Sequence, residues 1–246
     1  MAARVVVITG ASSGIGAALA EVLGTRGTSL ALVARRSDAL QAVAAKAGSD
    51  VLTVVADMTR REDVERTLGE VLRRFGAVDV WVNNVGRGIT RVPSQLTDDD
   101  IDGMVRDNIK TALYGMQVVL PHFKERGRGH VINISSMLGR MPFAPFRSAY
   151  SASKHFLNAL TMNFRTEVQQ THPDIQFSLV SPGVVRTEFG ANALHGGPDS
   201  ILPDSQSAEE VAHVIADVIE SRRPDVTRAG ALGQVVSYYG ALGEDP

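Results

Sequence analysis

The sequence predicts a doubly wound α/β domain, with helices on both faces of a mostly parallel sheet of about seven strands in a three-layer α/β/α arrangement. Short apolar runs alternate along the chain with longer segments of helical periodicity. The apolar runs show no period of two, which is typical of strands that are covered on both faces. They are Val5–Thr9, Ser29–Ala34, Val51–Ala56, Val78–Asn83, His130–Ser135 and Ile175–Ser181.

Apolar stripes at helical spacing predict helices between these strands. A stripe of this kind buries one side of a helix against a sheet. Alternation of strands and helices is typical of parallel strands joined by helical crossovers. The three clearest stripes consist of Ile15, Leu19, Val22 and Leu23, of Val64, Leu68, Val71, Leu72 and Phe75, and of Ile101, Val105, Ile109, Ala112 and Met116.

Length and composition exclude several classes of protein. The 246 residues are predicted to form one domain over 1–246, with a mobile loop at about 188–206, where Gly, Pro and small polar residues are frequent. The absence of Cys excludes disulfide scaffolds, thiolate metal sites and Cys nucleophiles. The net charge of −2 argues against nucleic-acid and membrane-surface binding. With no recognisable signal peptide and no long apolar segment, we expect a cytoplasmic protein.

A glycine-rich turn follows the first predicted strand, where parallel α/β sheets bind their ligands. It reads Thr9-Gly10-Ala11-Ser12-Ser13-Gly14-Ile15-Gly16. Backbone N–H groups at the start of a helix attract phosphate, and glycine lets the backbone approach it closely. We therefore expect a Rossmann-type fold that binds a dinucleotide, the alternative being a glycine-rich turn without a ligand. The expected contacts are Gly10, Ser12, Ser13, Gly14, Ile15 and Gly16.

The end of the second predicted strand indicates which dinucleotide is bound. NAD-specific folds carry an acidic residue about 20 residues after the glycines, where it holds the ribose 2′-hydroxyl. Here Ala34 occupies that position and is followed by Arg35 and Arg36. Two guanidinium groups can bind a 2′-phosphate. The sequence favours NADP(H), with NAD(H) and two merely solvated arginines as the alternatives.

A second chemical feature is the pair Tyr150 and Lys154. Residues four apart lie on one face of a helix, so the ammonium group could stabilise a tyrosinate. Lowering a phenol pKa from about 10 toward 7 requires roughly 4 kcal/mol. Desolvation opposes this change, so a second cation would also be needed. The alternative is a Tyr side chain that packs under the Lys methylene groups.

These motifs together resemble the short-chain dehydrogenase/reductase family, in its compact single-domain branch. The similarity covers about residues 5 to 190 in the family's order. Its elements are the glycine-rich turn, Asn83-Asn84-Val85-Gly86 with Val in place of the family's Ala, Asn108, the strand end Ile134-Ser135-Ser136, the pair Tyr150 and Lys154, and the turn Ser181-Pro182-Gly183 followed by Thr187.

The resemblance implies a hydride transfer between NADP(H) and a carbonyl or secondary alcohol. Tyr150 would be the general acid or base, and Lys154 would lower its pKa and hold the nicotinamide ribose. Ser136 would bind the substrate oxygen, and Asn108 would hold a water for proton relay. Ser135 is the alternative to Ser136, which stands 14 residues before Tyr150, one more than the family pattern. The further cofactor contacts implied are Asp57, Met58, Asn84, Gly86, Pro182, Gly183, Val185 and Thr187.

No metal site is expected from the sequence. The run from Asp98 to Gly103 imitates the start of a calcium loop, but Ile109 stands where the twelfth-position Glu is required. Thr97 followed by Asp98–Asp100 is instead predicted to cap a helix.

The substrate and the assembly are less well defined by the sequence. Met137–Phe146, Phe189, Leu194 and Leu202 could form a pocket for a moderately apolar carbonyl or alcohol, or could serve packing or a subunit contact. The resemblance implies a homodimer or homotetramer joined through helices near 100–127 and 148–170. A catalytically inactive NADP(H)-binding sensor or scaffold is the alternative to an enzyme.

Overall fold

The computed structural model describes residues 4–48, 50–197, 205–228 and 231–244. Within them the strands are β1 (Val5–Thr9), β2 (Ser29–Ala34), β3 (Val51–Val55), β4 (Val80–Asn83), β5 (Gly129–Ile134), β6 (Ile175–Ser181), β7 (Val185–Arg186), β8 (Gln206–Ser207) and β9 (Asp225–Thr227). Seven of these strands form a parallel sheet in the order β3-β2-β1-β4-β5-β6-β9. The chain runs outward from β1 to β3 and then returns to place β4 beside β1, which creates a crevice at the carboxyl ends of these two strands.

The helices cover both faces of the sheet, which confirms the predicted doubly wound fold. The sequence from Val105 to Lys110 forms a π-helical segment. The α-helices are α1 (Gly14–Thr25), α2 (Ser37–Lys46), α3 (Arg61–Phe75), α4 (Asp98–Met104), α5 (Thr111–Arg126), α6 (Ser148–Gln169), α7 (Ala208–Ser221) and α8 (Ala231–Leu242). A separate two-stranded sheet pairs β7 with β8.

Two apolar layers lie on opposite faces of the sheet. In β1, Val6 and Ile8 pack toward α1, α2 and α7, whereas Val5 and Val7 pack toward α3, α5 and α6. Alternate strand residues point to opposite faces, so a strand buried on both sides must be apolar throughout. This burial is the reason why β1 lacks the polar alternation of a half-exposed strand.

Some predicted boundaries differ from the structure. The fourth strand begins at Val80 rather than Val78, and the Val78 N–H donates to His122 Nε2 at 3.1 Å instead of to a neighbouring strand. The third strand ends at Val55, and the fifth spans Gly129–Ile134. The seventh strand of the sheet, β9, has three residues and carries no long apolar run that could reveal it.

The chain from α4 through the π-helical segment into α5 departs from a regular helix. Thr97 caps α4 as predicted, and together with Asp100 it forms a capping box, with a 3.3 Å bond from the Asp100 N–H to Thr97 and a 3.0 Å bond from the Thr97 N–H to Asp100. Ile101, assigned to the apolar stripe, is instead 44% exposed. The π-helical turn inserts extra residues and changes the angular register, so the stripe does not extend over the whole segment.

No helix in the described ranges is both long and apolar enough to span a bilayer.

A substitution at Gly16 tests the close packing of α1 near the glycine-rich turn. A Cβ atom there would lie 2.4 Å from the Gly10 carbonyl oxygen and 2.7 Å from Asn84 Nδ2. We expect Gly16→Ala to lower the free energy of unfolding by about 1–3 kcal/mol, measured by urea denaturation. Gly69→Ala is the matched control, since its Cβ would meet only Arg73 Nη1 at 4.0 Å. That change should be neutral or stabilise α3 by about 0.5–1 kcal/mol, and equal losses in both variants would contradict the interpretation.

Candidate active site

A cleft of about 1730 Å³ lies at the carboxyl ends of the strands, beside the crevice between β1 and β4. It brings together nearly all of the residues predicted for the site. Gly16 and Asn108 do not line it. The predicted residues that do are Gly10, Ser12, Ser13, Gly14, Ile15, Arg35, Arg36, Asp57, Met58, Asn84, Gly86, Ser136, Tyr150, Lys154, Pro182, Gly183, Val185 and Thr187.

The glycine-rich turn forms one end of the cleft. Gly10 and Gly14 have φ angles of +66° and +55°, which L residues with a side chain rarely adopt. Ser13 precedes α1, and its hydroxyl makes no capping hydrogen bond to the helix. The first turn of α1 therefore presents backbone N–H groups and serine hydroxyls to the cleft, an arrangement suited to phosphate oxygens.

Asn84 holds the glycine-rich turn against the end of β4. Its Nδ2 donates to the carbonyl oxygens of Thr9 at 3.1 Å and Gly10 at 3.2 Å, while its backbone N–H donates to Thr9 Oγ1 at 3.0 Å. Gly16 packs against the same amide, so it provides close approach of α1 rather than a surface of the cleft.

Arg36 lies over the glycine-rich turn from the end of β2. Its Nη2 donates to Ser12 Oγ at 3.3 Å and to Ser13 Oγ at 3.1 Å. Arg35 lines the cleft beside it, and Ala34 is buried. A guanidinium group and two hydroxyls therefore converge at the adenosine end predicted from the sequence.

Asp57 shapes the loop after β3. One of its carboxylate oxygens, Oδ1, accepts hydrogen bonds from the Thr59 N–H at 3.0 Å and from the Thr59 hydroxyl at 2.8 Å. Met58, which follows it, is buried and lines the cleft.

Tyr150 lies near the other end of the cleft. Only 8% of the surface of Tyr150 is exposed to solvent. Burial raises the pKa of Tyr150 to about 12, although a hydrogen bond with Ser136 and the positive charge of Arg147 act in the opposite direction. The phenol of Tyr150 therefore stays protonated at neutral pH.

Ser136 and Ser135 occupy different environments. Ser136 is close enough to Tyr150 to lower the pKa of its phenol, and the Ser136 hydroxyl accepts a 3.1 Å hydrogen bond from the Leu138 N–H. The Ser135 hydroxyl donates to Asn158 Oδ1 at 2.5 Å. The arrangement favours Ser136 over Ser135 as the serine that faces Tyr150.

Lys154 is buried one turn after Tyr150 on α6. Its Nζ donates to the Ile134 carbonyl oxygen at 2.9 Å and lies 5.6 Å from the centroid of the Tyr150 ring. Burial lowers the pKa of Lys154 to about 8. The side chain is thus directed to the end of β5, where a proton can be gained or lost near neutral pH.

Asn108 supports this region from the π-helical segment. Its Oδ1 accepts from the Arg87 N–H at 2.8 Å, and its Nδ2 donates to the Arg87 carbonyl oxygen at 2.9 Å. A Cβ atom on Gly86 would lie 3.0 Å from Asn108 Oδ1 and 3.5 Å from Lys154 Nζ. Asn108, Gly86 and Lys154 are therefore neighbours, with Asn108 just behind the surface of the cleft.

The turn after β6 closes one side of the cleft. The Pro182 carbonyl oxygen accepts from the Met137 N–H at 2.9 Å, and the Gly183 N–H donates to Gln206 Oε1 at 2.9 Å. Thr187 lies against the glycine-rich turn. A Cβ atom built on Gly14 would be only 3.3 Å from Thr187 Cγ2.

Apolar side chains surround the mouth of the cleft. Phe189 contacts the Tyr150 ring edge to face, with the centroids 5.4 Å apart. Leu194 packs with Ile89 and Tyr150 and is absent from the cleft wall, whereas Leu202 lies outside the described residues. The segment 137–146 contributes Met137, Leu138, Met141, Phe143, Ala144 and Phe146 to the wall.

Several polar residues of the cleft were missed by sequence reasoning, and three of them are notable. Arg147 and Arg87 line the cleft, and Gln234 reaches it from α8. The position of Arg147 three residues before Tyr150 was a usable signal, since residues three apart on a helix are neighbours. Nothing local could indicate Gln234, because α8 approaches the cleft only in the folded chain.

Among the residues that the structure describes, no group of three or more His, Asp or Glu side chains could hold a metal ion.

Comparisons with known proteins assign this chain to a family. The sequence profile described as short chain dehydrogenase matches residues 4–196. An uncharacterized oxidoreductase of Staphylococcus saprophyticus is 36% identical over 187 residues, covering 76% of each chain. A farnesol dehydrogenase of Aedes aegypti is 34% identical over 224 residues, covering 87% of this chain and 90% of the relative.

Solved structures show the same architecture. A short-chain dehydrogenase/reductase from Burkholderia phymatum, in complex with NAD, has a TM-score of 0.87 at 24% identity and covers 99% of this chain and 96% of its own. An alcohol dehydrogenase from Thermococcus sibiricus, complexed with 5-hydroxy-NADP, has a TM-score of 0.79 at 29% identity and covers 92% of this chain and 95% of its own.

The fold and the cleft define an oxidoreductase of the type that uses a nicotinamide dinucleotide. The chain belongs to the short-chain dehydrogenase/reductase family.

The buried Lys154 predicts a stability that depends on pH. The folded state loses the Lys154 proton at about pH 8, whereas the unfolded chain keeps it to about 10.5, so the unfolded state binds more protons between these values and stability increases with pH there. Below pH 8 both states are charged and the full cost of burial remains, about 3 kcal/mol at roughly 1.4 kcal/mol per pKa unit.

We expect Lys154→Met to stabilise the cofactor-free protein at pH 7 by about 2 kcal/mol, after loss of about 1 kcal/mol for the Ile134 hydrogen bond. The gain should shrink as the pH rises toward 10.5, in thermal denaturation at several pH values. Lys46→Met, at a side chain that is 70% exposed, is the control and should show neither effect. A Lys154→Met variant that is less stable than the wild type at pH 7 would contradict the conclusion that burial of the charged Lys154 lowers the stability of the fold.

Proposed function

We propose that this protein is an NADP(H)-dependent carbonyl reductase or alcohol dehydrogenase acting on moderately apolar substrates. The observation that carries the proposal is the meeting of Tyr150, Ser136 and Lys154 in a cleft that extends to the glycine-rich turn. A buried acid, a second hydroxyl and a buried ammonium are suited to proton transfer at a substrate oxygen.

The glycine-rich turn and the residues near Lys154 fit a dinucleotide. The positive φ angles of Gly10 and Gly14 leave a Cβ-free cradle at the start of α1, and Arg36 already contacts Ser12 and Ser13 there. Lys154 would hold the nicotinamide ribose, and the turn from Pro182 to Thr187 would orient the nicotinamide. When bound, the cofactor supplies or accepts the hydride at the substrate carbon.

Tyr150 performs the accompanying proton transfer in this proposal. In reduction, its hydroxyl donates a proton to the carbonyl oxygen as the carbonyl carbon receives the hydride, so the products are an alcohol and a tyrosinate. Ser136 donates a hydrogen bond to the same oxygen and stabilises its developing negative charge. Lys154 stabilises the tyrosinate, which is then reprotonated from solvent, with Asn108 supporting the path from behind Gly86. Oxidation of an alcohol follows the reverse order.

The preference for NADP(H) is proposed from this chain's own residues. The solved structures compared include complexes with NAD and with an NADP derivative, so family membership alone leaves the cofactor open. At the end of β2, Ala34 offers no carboxylate for a ribose 2′-hydroxyl, while Arg35 and Arg36 both line the cleft. A doubly charged 2′-phosphate pairs well with guanidinium groups.

Arg36→Ala should raise the KM for NADPH by about 10- to 100-fold, because one charged hydrogen-bond donor to the phosphate is lost. The KM for NADH in the same variant should change little and is the internal control. Steady-state assays with each cofactor give both values. A wild-type preference for NADH, together with an unchanged KM for NADPH in the variant, would disprove the proposed phosphate site.

The apolar substrate class is supported by the aromatic mouth of the cleft. Phe143, Phe146 and Phe189 are 46%, 43% and 36% exposed and line the same cleft as Tyr150, which Phe189 contacts. Exposed aromatic rings at a cleft favour binding of apolar groups. A relative of this chain is named a farnesol dehydrogenase, which is consistent with such a substrate.

Cofactor oxidation against a panel of ketones and aldehydes tests the reaction. We expect turnover of apolar carbonyls, and Tyr150→Phe should reduce kcat by at least about 100-fold because the proton donor is lost. Tyr114→Phe, a conservative change on α5 outside the cleft lining, is the control and should retain activity. Turnover confined to sugars or phosphorylated substrates would exclude the substrate class. Equal activity of the wild type and Tyr150→Phe would exclude the mechanism.

A homodimer or homotetramer is the assembly that we propose. Large apolar side chains remain exposed on two helices of the predicted interface, Ile101 on α4 and Phe156 and Met162 on α6. Association would remove these groups from water.

A further inference from the structure

We propose that Arg147 is a positioning residue, a second buried cation besides Lys154 that prepares Tyr150 for proton transfer. The inference rests on the proposed role of Tyr150 and adds to it a second charge that belongs to the protein. The two cations flank the phenol along the chain: Arg147, just before α6, precedes it by three residues, and Lys154, on α6, follows it by four. Lys154 lies one helical turn after Tyr150, on the same face of α6.

The backbone of Arg147 is well anchored. It is the N-terminal flanking residue of α6, and its carbonyl oxygen accepts a 2.8 Å hydrogen bond from the Ser151 N–H. An isolated β-bridge also joins Arg147 to Arg91 in the segment after β4. The distance of its charge from Tyr150 is therefore determined by the fold rather than by a flexible loop.

The guanidinium group is held as firmly as the backbone. Its Nη1 donates to the Ile89 carbonyl oxygen at 3.3 Å and to Thr90 Oγ1 at 3.1 Å, and its Cζ lies 5.5 Å from the centroid of Phe146. The residue is only 8% exposed although it lines the cleft. Taking a cation out of water is costly, so a fixed cation here is consistent with a functional requirement.

Gly88 leaves space for this arrangement. A Cβ atom at Gly88 would lie 3.1 Å from Arg147 Nη1 and 2.9 Å from the ring of Phe189, which itself contacts Tyr150. Arg147 and Phe189 therefore both pack against Gly88, and Phe189 in turn packs against Tyr150.

The other charged groups near Tyr150 are largely engaged elsewhere. Asp100 bonds to Arg91 at 2.9 Å and to His195 at 2.6 Å. Asp107 bonds to Arg106 at 2.7 Å, and Glu188 is exposed. The ionisable residues that lie nearest to Tyr150 along the elements around it include Arg147 just before α6, Lys154 on α6, Arg87 and Arg91 after β4, Asp100 on α4, Arg106 and Asp107 in the π-helical segment, and Glu188 and His195 after β7.

The positive charge of Arg147 shifts the pKa of Tyr150 in the direction that the proposal requires. Burial raises the pKa of Tyr150, and the positive charge of Arg147 lowers it, which favours the tyrosinate formed when the proton leaves. A cation from the protein acts in every step, whereas a positive nicotinamide ring is present only with the oxidised cofactor.

The ionisation of Tyr150 can be measured directly, because the chain has four Tyr residues. Tyrosine labelled with ¹³C at the hydroxyl-bearing carbon is incorporated, and the complex with NADP⁺ is titrated by NMR up to about pH 11, with Tyr150→Phe for assignment. In Arg147→Gln we expect the Tyr150 midpoint to rise by about one pH unit. In Arg147→Lys, which keeps the charge, it should stay near the wild-type value.

Each outcome decides the role of Arg147. An unchanged midpoint in Arg147→Gln, equal rises in both variants, or a wild-type Tyr150 that does not ionise below about pH 11 would overturn the proposal. If Arg147→Gln does not fold, Thr90→Val, which removes one anchor of the guanidinium group, should give a smaller rise, and no rise would overturn it. If the wild type turned over no carbonyl or alcohol, the proposed function would fail, while the NMR titration would still decide the role of Arg147.

Discussion

The hydrogen bonds of Asn84 to the glycine-rich turn are the interaction on which the cleft depends. They join the end of β4 to the carbonyl oxygens of Thr9 and Gly10, across the point where the strand order reverses. Gly16 lets α1 approach this amide closely. These contacts fix the start of α1 beside the crevice between β1 and β4, and α1 faces it with its first N–H groups unpaired within the helix.

Desolvation shapes the chemistry at the other end of the cleft. It raises the pKa of Tyr150 and lowers the pKa of Lys154, so that each group is held nearer to its neutral form. A neutral phenol is ready to donate a proton, and a buried ammonium group with a pKa of about 8 releases its proton more readily than an exposed lysine does. The fold keeps both groups buried at a cost in stability, as is common where ionisable groups act in catalysis.

Most of the fold follows from local patterns. Buried parallel strands must be apolar on both faces, so β1, β2 and β6 could be located residue by residue. The same logic fails for β9, a three-residue strand whose pairing with β6 depends on the distant position of its partner. It also fails across Val105–Lys110, because a π-helical turn changes the register without any local signature in the apolar stripe.

The residue types and their order along the chain are enough to establish the fold class, the family and the positions of Tyr150, Lys154 and the glycine-rich turn, because these depend on short spacings within a helix or a turn. Which serine faces Tyr150 depends on how the end of β5 meets α6, and Ser135 proves to bond to Asn158. The burial of Arg147 likewise arises from the segment after β4 packing over α6. Such contacts join residues far apart in sequence, so their geometry exists only once the chain has folded.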